Sequence, residues 1–194
     1  NENWNRFPNG ESIMKKENKN KNNFTYMDFS GKFDDIHLFI KGGSAIPYYD
    51  ILTNEDILTT KDLENHHITF IVNPDSFGNA KGEIIYDISD SDPYKTLSEK
   101  KYLHYEINYD GQNNKINFEK KNDFDYSGRD LIVDKVIVYN THFKKINELH
   151  KIVKNHLKKN ANKNVFTLNE VNGNLIIKFN KPILYKNKSL IFEF

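Results

Sequence analysis

Cysteine is absent from the 194-residue sequence, which excludes disulfides and thiolate metal sites within it. An excess of charge of one sign is absent too. Lysine and arginine number 28 against 27 aspartates and glutamates, a net charge of +1, so nothing points to nucleic acid or an anionic membrane as a partner. No apolar run approaches the roughly 18 residues that cross a bilayer. The opening residues NENWNRF carry no secretory-signal pattern. There is no Gly-x-Ser-x-Gly elbow and no glycine-rich loop to cradle phosphate.

What the sequence does have is strand and turn chemistry. Asp110-Gly111 joins the runs Tyr102 to Tyr109 and Lys115 to Phe118, and Asn172-Gly173 joins Phe166 to Val171 and Leu175 to Phe179. Both dipeptides suit primed hairpin turns. Aromatic and β-branched residues crowd these runs, which predicts an all-β fold, an antiparallel β-sandwich. A chain of this length can bury a sizeable core. Residues 1–50 hold a turn at Pro8-Asn9-Gly10, a polar Asn- and Lys-rich run from Lys15 to Asn23, and strands near Phe24 to Phe29 and Ile36 to Ile40. That is too little for a sandwich of its own. The expected organisation is part of a first sandwich over 1–50, completed by residues before Asn1, and a whole second sandwich over 51–194.

One segment departs from the β pattern. Across 141–162, Phe143, Ile146, Leu149, Ile152, Val153 and Leu157 recur at three- and four-residue spacing, which predicts an inserted amphipathic helix. Its other face carries Lys144, Lys145, Lys151, Lys154, Lys158 and Lys159. Such a helix either docks an acidic partner or is a solvated insertion whose stripe covers a sandwich edge. The overall charge of +1 favours the second.

Candidate chemistry is thin. Asp34-Asp35 are adjacent, and adjacent strand residues point to opposite faces. Asp87, Asp90 and Asp92 lack the glycine and distal glutamate of a calcium loop. His66-His67 are neighbours, while His142, His150 and His156 are not four apart, so no zinc-helix spacing exists. No catalytic, substrate-binding, metal or cofactor site is therefore assigned. Asn23-Phe24-Thr25 and Asn187-Lys188-Ser189 are sequons that permit glycosylation at Asn23 and Asn187 in a lumenal compartment.

The most informative stretch is Ile36 to Pro47, IHLFIKGGSAIP. His37, Phe39 and Lys41 alternate with Ile36, Leu38 and Ile40, Gly42-Gly43 allow a sharp turn or close approach, and Pro47 limits the second run. This order resembles the strand, R/K-G-G-S, apolar pair, Pro signature in the C-terminal β-sandwich region of glycoside hydrolase family 31, the α-glucosidases. Three further pieces are similar in order. Trp4 to Glu11 (WNRFPNGE) is similar to the family's W-Y-D-F-x-T-G-E turn. Ile68 to Asp87 is similar to its strand, P-D/Q-x-G-x-A-x-G turn and second strand ending in Asp. Ile132 to Tyr139 is similar to its I-x-x-V-x-I/V strand. The likeness is nearest the glucosidase II α-subunit type. One departure stands out: Tyr86-Asp87-Ile88-Ser89-Asp90-Ser91 occupies the place of the family's Asp-Asp-Gly loop.

The resemblance implies a partial proximal sandwich over 1–50 and a distal sandwich over 51–194, with Gly42, Gly43, Ser44 and Pro47 as the structural junction packing near a preceding barrel. A retaining glycosidase needs two carboxylates about 5 Å apart, and the family's nucleophile lies in a W-x-D-M-N-E strand end of a (β/α)8 barrel. Nothing in this sequence matches that motif, because Trp4 is followed by Asn5-Arg6-Phe7. The implied role is a scaffold whose partner is the catalytic barrel, in upstream sequence or a second chain. A noncatalytic β-subunit and an endoplasmic reticulum or secretory location follow from the same resemblance. The alternative is a noncatalytic carbohydrate-binding or subunit-docking sandwich that uses exposed aromatics such as Tyr48 and Tyr49.

Overall fold

The structure is a computed structural model and describes residues 3–13, 31, 36–50, 59, 62–87, 98–99, 101–124, 132–139, 166–184 and 189–193. Twelve strands form two sheets among them. The smaller has the order β2-β1-β3, from β1 (Trp4–Arg6), β2 (Glu11–Ser12) and β3 (Phe39–Lys41). The larger takes β4 (Ser44–Tyr48), β5 (Ile68–Asn73), β6 (Asn79–Asp87), β7 (Tyr102–Asp110), β8 (Lys115–Lys120), β9 (Ile132–Val138), β10 (Phe166–Val171), β11 (Asn174–Leu184) and β12 (Ser189–Glu193). Its order is β10-β11-β9-β5-β4-β6-β7-β8-β12. A 3-10 turn spans Asp62–Asn65. The helix expected over 141–162, the strand expected at Phe24 to Phe29, Asp34-Asp35, Asp90, Asp92, Asn23 and Asn187 lie outside the described residues.

The larger sheet curls on itself, and its inward rows make the core. β7 alternates strictly, with Leu103, Tyr105, Ile107 and Tyr109 buried, as a strand with one wet face must. Phe70 on β5 meets Phe118 on β8 edge to face at 5.6 Å, across the interior. At the far end Phe192 of β12 lies 4.9 Å from Phe179 and 6.0 Å from Phe166. The two edges of the sheet are thus closed by aromatic packing. The result is two layers, β10-β11-β9-β5-β4 and β6-β7-β8-β12, joined where β4 touches β6 through the single parallel bridge Ser44↔Lys81.

The all-β sandwich expected from sequence is present, but its larger sheet is mixed rather than antiparallel. β5 pairs in parallel with β9 from Ile68↔Val133 to Val72↔Val138. Parallel neighbours need a long crossover, and here the crossover is the whole β6–β8 meander on the opposite layer. Pro47 pairs with Phe70 in β4, while the bridge to β6 lies at Ser44; a residue without an N–H sits where the two layers separate.

The two predicted hairpins turn differently. Asn172 and Gly173, with φ of 54° and 79°, form the two-residue primed turn between β10 and β11. The β7–β8 loop corrects the other expectation. Asp110 pairs with Lys115, so four residues intervene, and the left-handed one is Asn114 at φ 50°. The Asp110 carboxylate accepts the N–H groups of Gln112 at 3.0 Å and Asn113 at 3.1 Å. Gly111 serves close approach instead: its N–H donates to Gly78 O at 3.0 Å, and a Cβ there would lie 2.6 Å from that oxygen.

Candidate functional site

The site that sequence reasoning singled out is the turn between β3 and β4, and the geometry there is a seam between the sheets. Gly42 N–H donates to Asn3 O at 2.6 Å and Gly43 N–H to Asn73 O at 2.7 Å, while Gly43 O accepts from Lys81 N–H at 3.0 Å. Gly43 has φ 86°, a conformation that glycine adopts without strain. A Cβ on Gly42 would sit 3.0 Å from Asn3 O and 3.2 Å from Pro74 O. Ser44 and Pro47 both lie in β4, inside the larger sheet.

The smaller sheet lies over the outer side of β5 and β9. β5 is buried along all six residues, because Ile68, Phe70 and Val72 face the core and Ile71 faces the other way, against Ile40 and Tyr139. Phe7 stacks edge to face on Tyr48 at 5.2 Å beside this cluster. Polar side chains then lock the seam. Buried Asn73 donates from Nδ2 to Ile40 O at 2.7 Å, and buried Asn5 donates to Gly10 O at 2.8 Å. The Pro8-Asn9-Gly10 turn is clasped from the larger sheet: Tyr139 O–H donates to Pro8 O at 2.6 Å and Asn174 Nδ2 to Asn9 O at 2.9 Å. Burial pushes the Tyr139 phenol up to about 12, so it stays protonated and able to donate.

A depression of about 340 Å³ opens beside Gly43, lined among others by Asp75, Asn79, Lys81, Asn108 and Asp110. Its two carboxylates brace turns: Asp75 accepts the N–H groups of Phe77 at 2.8 Å and Asn79 at 2.9 Å, and Asp110 caps its own loop. The hydrogen bonds of Gly42 and Gly43 given above run to backbone atoms of Asn3, Asn73 and Lys81.

Carboxylates do face one another elsewhere. Register places Glu83 opposite Glu106 and Glu106 opposite Glu119, a row across β6, β7 and β8 that sequence inspection missed because it spans three strands. Like charges in such a row repel, and cations offset them. Lys81 lies 2.8 Å and Lys121 3.7 Å from Glu106, Lys121 lies 3.1 Å from Glu119, and His104 Nε2 lies 2.9 Å from Glu83. The Asn108 side-chain amide and then Lys81 bring the Glu106 carboxyl down to about 2. A glycosidase acid needs the reverse, a raised value in a closed cleft. This row is an ion-pair network on the outer face of a sheet, and its chemistry is structural.

That network gives a pH dependence. Glu106 is held well below its ordinary 4.5 in the folded chain, so its contribution is full above that value and is lost as pH falls from 4.5 towards 2. Lys81 is largely exposed, and solvent screening reduces the effect to about 1 kcal/mol. Acid titration of unfolding stability should show this loss in the wild-type chain and not in Glu106→Gln.

Tyr48 and Tyr49 are half-buried, Tyr48 on Phe7 and Tyr49 against the core, with its phenol pushed up to about 12 by burial. His66 and His67 lie beyond the 3-10 turn, and His67 Nδ1 lies 3.9 Å from Asp134. Among the described residues no three His, Asp or Glu side chains form a metal-binding group, and no helix is long and apolar enough to cross a membrane.

No protein-family model matches the sequence, and no curated protein matches it. Solved structures match its fold over nearly the whole chain. The heterodimeric complex of ER glucosidase II, a catalytic subunit with the binding domain of its regulatory subunit, matches 100% of this chain with 20% of its own, at a TM-score of 0.63 and 13% identity. The glucosidase II alpha subunit bound to alpha3-Glc2 matches 92% with 19% of its own, at 0.55 and 14%. The Flavobacterium johnsoniae GH31 dextranase complexed with glucose matches 97% with 22% of its own, at 0.53 and 15%. The chain thus spans about one fifth of the length of each, and its fold is the one that a corresponding fifth of these glycoside hydrolases adopts.

Proposed function

We propose that this chain is the noncatalytic C-terminal scaffold of a retaining family 31 α-glucosidase, with the catalytic (β/α)8 barrel in upstream sequence or a second chain. The observation that carries the reading is whole-chain fold likeness to glycoside hydrolases of which the chain spans one fifth. The Glu83–Glu106–Glu119 row supports it, being built as an ion-pair network rather than as an acid and nucleophile. The parent enzyme hydrolyses α-linked glucose with retention. The glucosidase II neighbours, one of them solved with a regulatory subunit, favour trimming of N-glycan glucose in the endoplasmic reticulum lumen and a noncatalytic β-subunit as partner. Glycosylation at Asn23 and Asn187 belongs to the same reading.

Within the parent, Gly42, Gly43, Ser44 and Pro47 form the junction between the proximal and distal sandwiches. In this reading the division lies at Gly42-Gly43 rather than near residue 50, which the pairing of β4 along β5 from Ser44 onward supports. The test is to purify the product of the natural gene, identify every polypeptide in it, and follow hydrolysis of an α-glucoside by NMR. Release of the α-anomer by an assembly containing a (β/α)8 barrel is expected. Release of the β-anomer, or an assembly without a barrel, contradicts the proposal.

A further inference from the structure

Two Asn-Gly dipeptides occur in the sequence, Asn9-Gly10 and Asn172-Gly173, and both glycines have positive φ. Asn-Gly is the pairing most open to attack of a backbone nitrogen on a side-chain amide, because glycine puts no Cβ beside the attacking atom. Both asparagines are exposed, so access to water does not separate them. The fold around them does. Gly10 is buried, its N–H donates to Arg6 O at 2.8 Å, and its own carbonyl accepts from Asn5. From the larger sheet, Tyr139 holds Pro8 O and Asn174 holds Asn9 O. Asn172-Gly173 stands instead at the tip of the β10–β11 hairpin, where Val171, Asn172 and Gly173 are all exposed. Beyond its chain neighbours, no atom lies within 4 Å of a Cβ built on Gly173, and its N–H donates to the Glu170 carboxylate of the same hairpin at 2.8 Å.

The tip of a hairpin at the edge of a sheet, with open space around its glycine, opens locally at small cost. Gly10 moves only when its bond to Arg6 breaks and the bonds from Tyr139 and Asn174 give way. We propose that Asn172 is a site of spontaneous deamidation, and that the clasp on Pro8 and Asn9 protects the same dipeptide in the first turn. On opening, the Gly173 nitrogen gives its proton to hydroxide and bonds to Asn172 Cγ. The Cγ–Nδ2 bond breaks, and ammonia leaves with a proton from water, which restores the hydroxide and closes a succinimide ring. Water then cleaves one of the two ring bonds to the Gly173 nitrogen. Cleavage at Cγ gives aspartate; cleavage at the main-chain carbonyl carbon gives isoaspartate, whose backbone carries an extra methylene. That longer backbone no longer fits the two-residue primed turn that sets the β10–β11 register. The modification thus loosens the edge hairpin that brings Phe166 and Leu168 into the core. The chemistry needs no partner and holds whatever reaction the parent enzyme catalyses.

The test ages the product of the natural gene in warm, mildly alkaline buffer and follows both dipeptides by peptide mapping, with chromatography that separates aspartate from isoaspartate before mass spectrometry. The Asn172 peptide is expected to deamidate about tenfold or more faster than the Asn9 peptide, the ratio that two or three hydrogen bonds opposing local opening set. Tyr139→Phe keeps the ring but removes the clasp on Pro8 O, and is expected to speed Asn9 several-fold while leaving Asn172 unchanged. The wild-type chain in denaturant gives a second reading that no variant's folding can spoil: there the two rates converge. No deamidation at Asn172 in the folded protein, equal rates at the two sites while folded, or a difference that persists undiminished in denaturant overturns the proposal. An Asn9 rate unmoved by Tyr139→Phe overturns the protective clasp.

Discussion

Replacing Gly82 by alanine should prevent the chain from folding to its native state. Gly82 lies in β6 next to the one bridge that joins the two layers of the sandwich, Ser44↔Lys81. A Cβ at this position would come within 2.7 Å of the Ala45 carbonyl carbon and closer still to its oxygen. Both are backbone atoms of β4, and β4 is held on its other side by five paired residues of β5, so neither strand can give way cheaply. Overpacking of this kind costs about 3 kcal/mol or more, comparable with the whole stability of a marginal domain. Gly173→Ala is the control. Its φ is 79° but nothing lies within 4 Å of an added Cβ, so only the backbone penalty of about 1–2 kcal/mol applies. Soluble yield and thermal unfolding midpoint separate the two: Gly173→Ala lowers the midpoint, and Gly82→Ala leaves little folded protein to measure.

The second large effect is expected at Tyr139, which is fully buried and ties the two sheets together. Its N–H donates to Val72 O at 2.8 Å within the larger sheet, and its O–H donates to Pro8 O in the smaller one. Tyr139→Ala removes a buried ring at a cost of about 3–5 kcal/mol. Tyr139→Phe keeps the ring and strands Pro8 O, at about 1–2 kcal/mol. The ring is also one reason for glycine at position 10, where φ is 74° and a Cβ would lie 2.6 Å from Tyr139 Cδ1 and 2.8 Å from Asn174 Oδ1. A double-mutant cycle is decisive: Gly10→Ala should cost less in the Tyr139→Ala background than in the wild type, because the clash with the ring is gone. Additive costs would show that the Tyr139 ring is not what excludes a side chain at position 10.

Much of this architecture is legible in the sequence where the signal is local. The alternation of Tyr102 to Asp110, the Asn172-Gly173 turn and the apolar run Ile68 to Asn73 each announce a strand or hairpin. The same local logic misleads at Asp110-Gly111, where the dipeptide suits a primed turn but the glycine answers to Gly78 on a neighbouring loop. It also overextends β3, whose alternation begins at Ile36 although the strand begins at Phe39. What is not local cannot be read. The parallel pairing of β5 with β9, the clasp between Tyr139 and Pro8 and the glutamate row depend on register between segments far apart in the chain, which no spacing encodes. The glycine pair at 42–43 is visible in the sequence, but its partners Asn3, Asn73 and Lys81 are not.

The proposed function gives this chain the work of holding a fold together and puts the chemistry in another part of a parent enzyme. The most direct measurement is kcat for α-glucoside hydrolysis by the natural gene product with Glu83, Glu106 and Glu119 all replaced by glutamine, compared at equal concentrations of folded enzyme. The account predicts a value close to that of the wild type, with any loss confined to stability, fullest above pH 4.5 and fading as pH falls towards 2. A drop of about 10²–10⁴-fold, the usual consequence of removing a catalytic acid or base, would place the chemistry in this chain and contradict the account.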